Sequence, residues 1–254
     1  MALSLLKNGV FNRLQEDILA LQGFRTPVGT RRIDFGLGMM DASFPNHTFP
    51  TGVVHEFISN DPESAAATTG FMAGLLGKLM GEYGICLWIG IRPIVFAAAL
   101  KAFGVEPHRV IFIDLAKEKD VIWAVEEALK CESLAAVVGE VREITFTESR
   151  RLQLAVEQSR VTGFLHRVKP RAVNTLACVS RWQITPVASR LEEGMPGVGH
   201  PCWRVQLQKI RNGEPGEWEM QWLSGRFEYL PKEVSDNANE VAEHSPSVYI
   251  AQRA

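Results

Sequence analysis

A strand, a tight loop and the start of a helix between Phe49 and Gly70 have the local form of a phosphate-binding site. Residues 53–58 are mostly β-branched and aromatic, and residues 64–80 are rich in Ala, Leu and Gly at helical spacing. Phosphate-binding loops of this form read G-x-x-x-x-G-K-[ST]. Their backbone amides and helix N-terminus hold the phosphates, the Lys contacts the β- and γ-phosphate oxygens, and the hydroxyl binds Mg²⁺.

The residues that carry phosphate chemistry are missing from this loop. Asp61 stands where the first Gly belongs, Ala66 replaces the second Gly, and Ala67 replaces the Lys. Only Thr68 remains of the phosphate and magnesium ligands, and the Asp61 carboxylate would repel a phosphate. We therefore interpret the stretch as a structural relic and expect no bound cofactor. This relic loop comprises Asp61, Pro62, Glu63, Ser64, Ala66, Ala67 and Thr68.

Apolar strands alternate with amphipathic helices from residue 53 to residue 166, which predicts a mostly parallel sheet with helices on both faces. The predicted strands are 53–58, 85–89, 109–113, 134–138 and 163–166, and the predicted helices are 64–80, 93–103, 117–131 and 145–160. Segments 175–185, 202–211 and 216–223 alternate as strands, and Asn212-Gly213 indicates a hairpin between the last two. We expect an α/β fold extended by antiparallel C-terminal strands.

Two segments flank this core. An amphipathic helix is predicted over residues 5–22, with Phe11, Leu14, Ile18 and Leu21 on an apolar face that must be buried on the core or on a partner. The polar, acidic tail has no apolar period and is expected to be mobile in isolation. The predicted organisation is a helix and linker over 1–48, a core over 49–230 and a tail over 231–254.

Composition limits the classes of function. The chain has 254 residues, 46% of them hydrophobic, and a net charge of −2, so any nucleic-acid affinity has to come from a local patch. Four separated cysteines without a C-x-x-C pair are interpreted as buried thiols in a reducing cytoplasm, and zinc is not expected. Neither a signal-peptide core nor a membrane span is predicted.

No other residues predict catalysis. A magnesium-dependent ATPase needs an acid at the end of strand 134–138, where Gly139 stands, and a glutamate after strand 85–89, where residues 90–92 supply none. Glu140 follows one step on, on the opposite side of the strand, and is expected to form a structural hydrogen bond. His55 and His166 lie in apolar strands and are expected to be core or strand-end histidines. We expect no enzyme activity.

Several segments resemble two related families, ImuA and SulA, over about residues 49–223. They are Trp88, 121–129, 136–140, 149–155 and 163–165, and the relic loop itself resembles the RecA-type sequence G-P-E-S-S-G-K-T. Both families are similar to RecA-fold proteins that have lost nucleotide chemistry. The relic loop, the N-terminal arm and the hairpin from Trp203 to Gly213 favour ImuA.

The ImuA resemblance implies a non-catalytic, cytoplasmic accessory protein of SOS-induced, error-prone translesion DNA synthesis. It implies binding to a Y-family-like polymerase homologue (ImuB-like) and, through it, to an error-prone replicative-type polymerase and the sliding clamp. The alternative is a SulA-like inhibitor of the tubulin-like cell-division GTPase. A functioning nucleotide-dependent recombinase is disfavoured by Ala67 and Gly139.

Basic side chains are concentrated between Arg142 and Arg181, where eight basic residues accompany three acidic ones. The two turns that correspond to the DNA-binding loops of RecA-like proteins, 141–144 and 168–172, are short and lack glycine and aromatic residues. We therefore expect only weak, non-specific and salt-sensitive DNA contact, a partner contact, or simply a solvated surface. The candidate contact residues are Arg150, Arg151, Arg167, Lys169 and Arg171.

Overall fold

The computed structural model describes residues 33–92, 95–189 and 199–230. The predicted helix over 5–22, with Phe11, Leu14, Ile18 and Leu21, and the tail over 231–254 lie outside the described residues. One sheet contains β1 Val54–Ser59, β2 Cys86–Gly90, β3 Val110–Asp114, β4 Ala136–Val141, β5 Thr162–Val168, β6 Ser180–Val187, β7 Cys202–Ile210, β8 Gly216–Leu223 and β9 Arg226–Tyr229. The α-helices of this described part are α1 Pro62–Met80, α2 Glu118–Leu129 and α3 Phe146–Ser159.

The strand order is β3-β2-β4-β5-β1-β6-β7-β8-β9. Neighbouring strands are parallel from β3 through β6 and antiparallel from β6 through β9, which confirms the predicted α/β class and its antiparallel extension. The first predicted C-terminal strand belongs to both regions, because β6 runs parallel to β1 on one side and antiparallel to β7 on the other.

Two apolar clusters lie on opposite faces of the sheet because successive strand residues point to opposite sides. α1 covers one cluster, in which the rings of Phe57 and Trp182 stack at 6.1 Å. α2 and α3 cover the other, which includes Val54 and Val137. All six residues of β1 are consequently buried, and this explains why the strand reads as a continuous apolar run.

Residues 33–48, predicted as linker, are part of the core. Phe35, Leu37, Met40 and Phe44 are buried in the α1-side cluster, and the hydroxyl of Tyr229 donates to the carbonyl of Leu37 and accepts from the amide of Met40. The segment folds as two short 3-10 helices, Gly38–Ser43 and Pro45–His47. Such short turns give its apolar residues neither a helical nor a strand period, so the sequence pattern did not indicate their burial.

Other local predictions need correction. The helix predicted over 93–103 is a 3-10 helix, Ala97–Phe103. Cys86, Cys178 and Cys202 are buried, but Cys131 is exposed in the turn after α2, so the prediction of a buried thiol is wrong there. In the described ranges, no helix is long and apolar enough to cross a membrane.

A buried ionic network joins β1, β5 and β6. The Glu56 carboxylate is 3.0 Å from Nη1 of Arg167 and 2.7 Å from Nε of Arg181, and the Arg167 side chain is fully buried. Nη2 of Arg167 also donates to the carbonyl of Ala172 at 3.0 Å and lies 3.5 Å from Glu143. Arg167 therefore anchors the turn 168–172 from inside, and its prediction as a DNA or partner contact is wrong.

We expect Arg167→Ala to lower the free energy of unfolding by roughly 3 kcal/mol, because removing one member of a buried ion pair leaves the other poorly compensated. Arg171→Ala changes an exposed arginine of the same turn and is the matched control, with an expected effect within about 0.5 kcal/mol. Urea unfolding followed by circular dichroism measures both. Equal, small effects would contradict the structural role of Arg167.

Candidate functional site

The carboxyl ends of β1, β4 and β5 meet at one edge of the sheet, where open α/β sheets bind their ligands. The relic loop follows β1, and the turns 141–144 and 168–172 follow β4 and β5. The fold thus brings together most of the positions predicted from sequence.

Asp61 caps the N-terminus of α1. Its Oδ1 accepts a hydrogen bond from the amide of Ser64 at 2.7 Å, its Oδ2 accepts one from the Ser64 hydroxyl at 2.8 Å, and Pro62 begins the helix. These hydrogen bonds, with that from the Ser64 amide foremost, hold the pKa of Asp61 below its ordinary value. Because amides at a helix N-terminus are the groups that bind phosphate, this carboxylate stands in for the anionic ligand. An Asp followed by Pro is a recognisable helix start, so the sequence carried a signal for the cap.

Thr68 and Ala67 of the relic loop are buried, and Ala66 has no group that could bind a phosphate. The buried Thr68 hydroxyl lies 2.9 Å from the hydroxyl of Ser59 at the end of β1. Ala67, at the lysine position, is buried in the apolar cluster, whereas Ala66 is exposed with only a methyl group. The loop therefore presents neither the cation nor the free hydroxyl that phosphate and magnesium binding require.

His166 is hydrogen-bonded to Ser59, which also contacts Thr68. Its Nε2 lies 2.9 Å from Ser59 Oγ, and the tautomer of the ring decides which of the two atoms donates. Burial lowers the pKa of His166 to about 4, which keeps the ring neutral at pH 7. Its Nδ1 has no hydrogen-bond partner among the described residues. His55 is likewise buried, with both ring nitrogens hydrogen-bonded, to Ser180 and Pro50.

Glu140 lies on the opposite side of β4 from position 139, as expected, and this side faces the relic loop. A side chain at position 139 would meet Val125 of α2, whereas Glu140 is in register with His166 on the α1 face. Its Oε1 accepts a hydrogen bond from Nε1 of Trp88 at 2.6 Å, as expected for a structural role. Burial raises the pKa of the Glu140 carboxyl. Which face each residue takes depends on the pairing of the whole sheet, and the local sequence does not determine it.

A cleft of about 890 Å³ opens beside the first half of α1. Its walls are mostly apolar and come from α1, the 3-10 helix 97–103, and the adjoining ends of β6 and β7. Glu63, Glu140 and His166 lie along it, and Lys169 is the one lysine or arginine among its described lining residues. This arrangement suits an apolar group better than a triphosphate, which needs several cations or amides.

The candidate basic residues separate into two places. Lys169 and Arg171 are exposed in the turn 168–172, which the Glu143 carboxylate holds by accepting from the Arg171 amide at 2.6 Å. Arg150 and Arg151 lie on α3, where Arg151 is 2.5 Å from Glu126 of α2 and Arg150 is 3.8 Å from Glu157. Arg142 joins the first group, since its Nε donates to the carbonyl of Lys169 at 3.0 Å. No sequence signal indicated that Glu143 ties the two turns together.

The fold is α/β, with a mostly parallel sheet and antiparallel C-terminal strands, and the Asp61 cap occupies the helix N-terminus at which a phosphate-binding loop would hold its ligand. No family model matches the chain. It is similar to Protein ImuA of Caulobacter vibrioides, in strains NA1000 / CB15N and ATCC 19089 / CIP 103742 / CB 15. Each relative is 35% identical over 211 residues, which cover 78% of this chain and 86% of the relative. The chain belongs to the ImuA family, and its role lies in the SOS mutagenesis system.

We expect no micromolar binding of ATP–Mg²⁺ and no hydrolysis, because the loop lysine and both loop glycines are replaced and Asp61 caps the helix. Isothermal titration of the full-length protein measures binding. If micromolar binding were found, and were abolished by Thr68→Ala but kept by Ser59→Ala, the loop would be a working site. Ser59→Ala removes the same internal hydrogen bond and leaves the Thr68 hydroxyl in place, so it is the matched control.

Single-stranded DNA should bind weakly and without sequence preference, and affinity should fall steeply with salt, because the exposed turn offers cations without a stacking platform. We expect the double variant Lys169→Ala, Arg171→Ala to weaken binding at low salt, measured by fluorescence anisotropy. Lys78→Ala, at an exposed lysine in the last turn of α1, is the control and should bind like the wild type. A tight complex insensitive to salt and to these substitutions would mean that DNA uses another surface.

Proposed function

We propose that this protein is a non-catalytic accessory of error-prone translesion DNA synthesis that binds a Y-family-like polymerase homologue (ImuB-like). The single observation that carries the proposal is the internal filling of the phosphate site, by the Asp61 cap and the Thr68–Ser59 hydrogen bond. A protein on this plan without nucleotide turnover contributes by binding. Through the polymerase homologue it connects to an error-prone replicative-type polymerase and the sliding clamp, and it acts in the cytoplasm.

Exposed apolar side chains support a binding role. Trp123 on α2 is 62% exposed, and Phe146 and Leu154 on α3 are 55% and 49% exposed. Arg151 bridges the two helices through Glu126. Tryptophan, phenylalanine and arginine are enriched at protein interfaces relative to the rest of the surface, so these two helices expose residue types that are typical of a contact surface.

The test is co-purification of the full-length protein with the polymerase homologue, together with the frequency of damage-induced mutation in cells. Three variants are compared: the double substitution Trp123→Ala with Phe146→Ala, the deletion of residues 1–24, and the deletion of residues 231–254. We expect the variant that removes the contact to weaken capture at least tenfold. Tyr83→Ala, at another highly exposed aromatic residue, is the control for the double substitution.

Two results would contradict the proposal. One is a full-length protein that ignores the polymerase homologue but blocks assembly of the division GTPase, which would favour the SulA-like alternative. The other is loss of damage-induced mutagenesis in a folded Thr68→Ala variant but not in Ser59→Ala, which would indicate nucleotide chemistry.

A further inference from the structure

Strand β3 is an edge of the sheet as the described residues form it. It pairs with β2 on one side, and no described residue pairs with its other side. Ile111 is 50% exposed and Phe112 is 37% exposed, on opposite faces of the strand. Edge strands are normally protected by lysine, proline, a bulge or a covering helix. The β3 sequence, Val-Ile-Phe-Ile-Asp, contains neither lysine nor proline. Its register with β2 is regular, so it has no bulge.

The backbone groups that face the open side are centred on Phe112. The amide of Leu115 donates to the carbonyl of Gly90 in β2 at 3.0 Å. Since backbone groups alternate along a strand, those of residues 111 and 113 also face β2. The groups that point outward are therefore the N–H and C=O of Phe112 and Asp114 and the C=O of Val110. The Val110 N–H instead donates to the carbonyl of Pro107.

We propose that a second copy of this chain pairs with β3 in antiparallel orientation about a two-fold axis at Phe112. A two-fold interface must be complementary to itself, and the strand is, because Phe112 is flanked on both sides by isoleucine. Phe112 would exchange both backbone hydrogen bonds with the partner's Phe112, and each Asp114 amide would meet the carbonyl of the partner's Val110.

Side chains on both faces match in the same register. Ile111 lies opposite the partner's Ile113 on the α2 face, and the two Phe112 rings meet on the α1 face beside Trp88, whose ring centroid is 6.2 Å from that of Phe112. The only ionisable side chain of the strand, Asp114, lies at the rim and accepts from the amide of Arg92 at 2.7 Å. A net charge of −2 per copy adds little repulsion. This inference goes beyond the proposed function and does not depend on it.

Sedimentation of the full-length protein over a range of concentrations tests the pairing, together with hydrogen exchange at single amides. We expect a dimer in which the Phe112 amide is protected. Ile111→Lys should raise the dimer dissociation constant about 100-fold, roughly tenfold for each copy, because it places an ammonium group against apolar surface. Leu154→Lys adds the same charge at a comparably exposed position on α3 and should leave the dimer intact.

Four results would overturn the inference. A monomer with a freely exchanging Phe112 amide shows an unpaired edge, and a monomer with a protected amide shows that another part of the same chain covers β3. A dimer that is unchanged by Ile111→Lys uses a different surface. A dimer weakened equally by Leu154→Lys responds to charge alone. The exchange measurement on the wild-type chain decides the question even if Ile111→Lys fails to fold.

Discussion

The first amide groups of α1 need an acceptor, and the way this need is met decides what the adjoining sheet edge can do. In a working phosphate loop a nucleotide supplies the acceptor, so the helix N-terminus is satisfied only when the ligand is present. Here Asp61 supplies it at 2.7 Å from the Ser64 amide, within the same chain. The loop is therefore complete without a ligand, and an added phosphate would have to displace a carboxylate that the helix already stabilises.

The same replacement of external by internal partners extends to the charges of this edge. Arg167 belongs to a run of basic residues in the sequence, yet its guanidinium is neutralised by Glu56, 111 positions away along the chain. Arg151 is paired with Glu126 of the neighbouring helix. The excess of positive charge available to a nucleic acid is consequently smaller than a local count suggests, and it is concentrated at Lys169 and Arg171.

The sequence predicted the local elements of this fold but not the contacts between residues that are far apart along the chain. Strands buried on both faces read as apolar runs, and the capping box of Thr145 and Glu148 was recognisable from two residues, so the alternation of elements was predicted correctly. The burial of Arg167, the face taken by Glu140 and the packing of residues 33–48 depend on sheet pairing and on contacts between distant segments. No local period encodes such contacts.

On the proposed function, a phosphate loop that is satisfied internally also lacks the usual means of switching. Nucleotide-driven proteins move because bound phosphate and magnesium reposition the loops around them. In this chain, Ser59 connects Thr68 to the buried, neutral His166, so these side chains bind one another. On the proposed function, regulation then comes from which surfaces are occupied. The β3 edge lies at one end of the sheet, while the cleft and basic turn lie along the carboxyl ends of the central strands, so self-pairing would leave the cleft and the basic turn accessible.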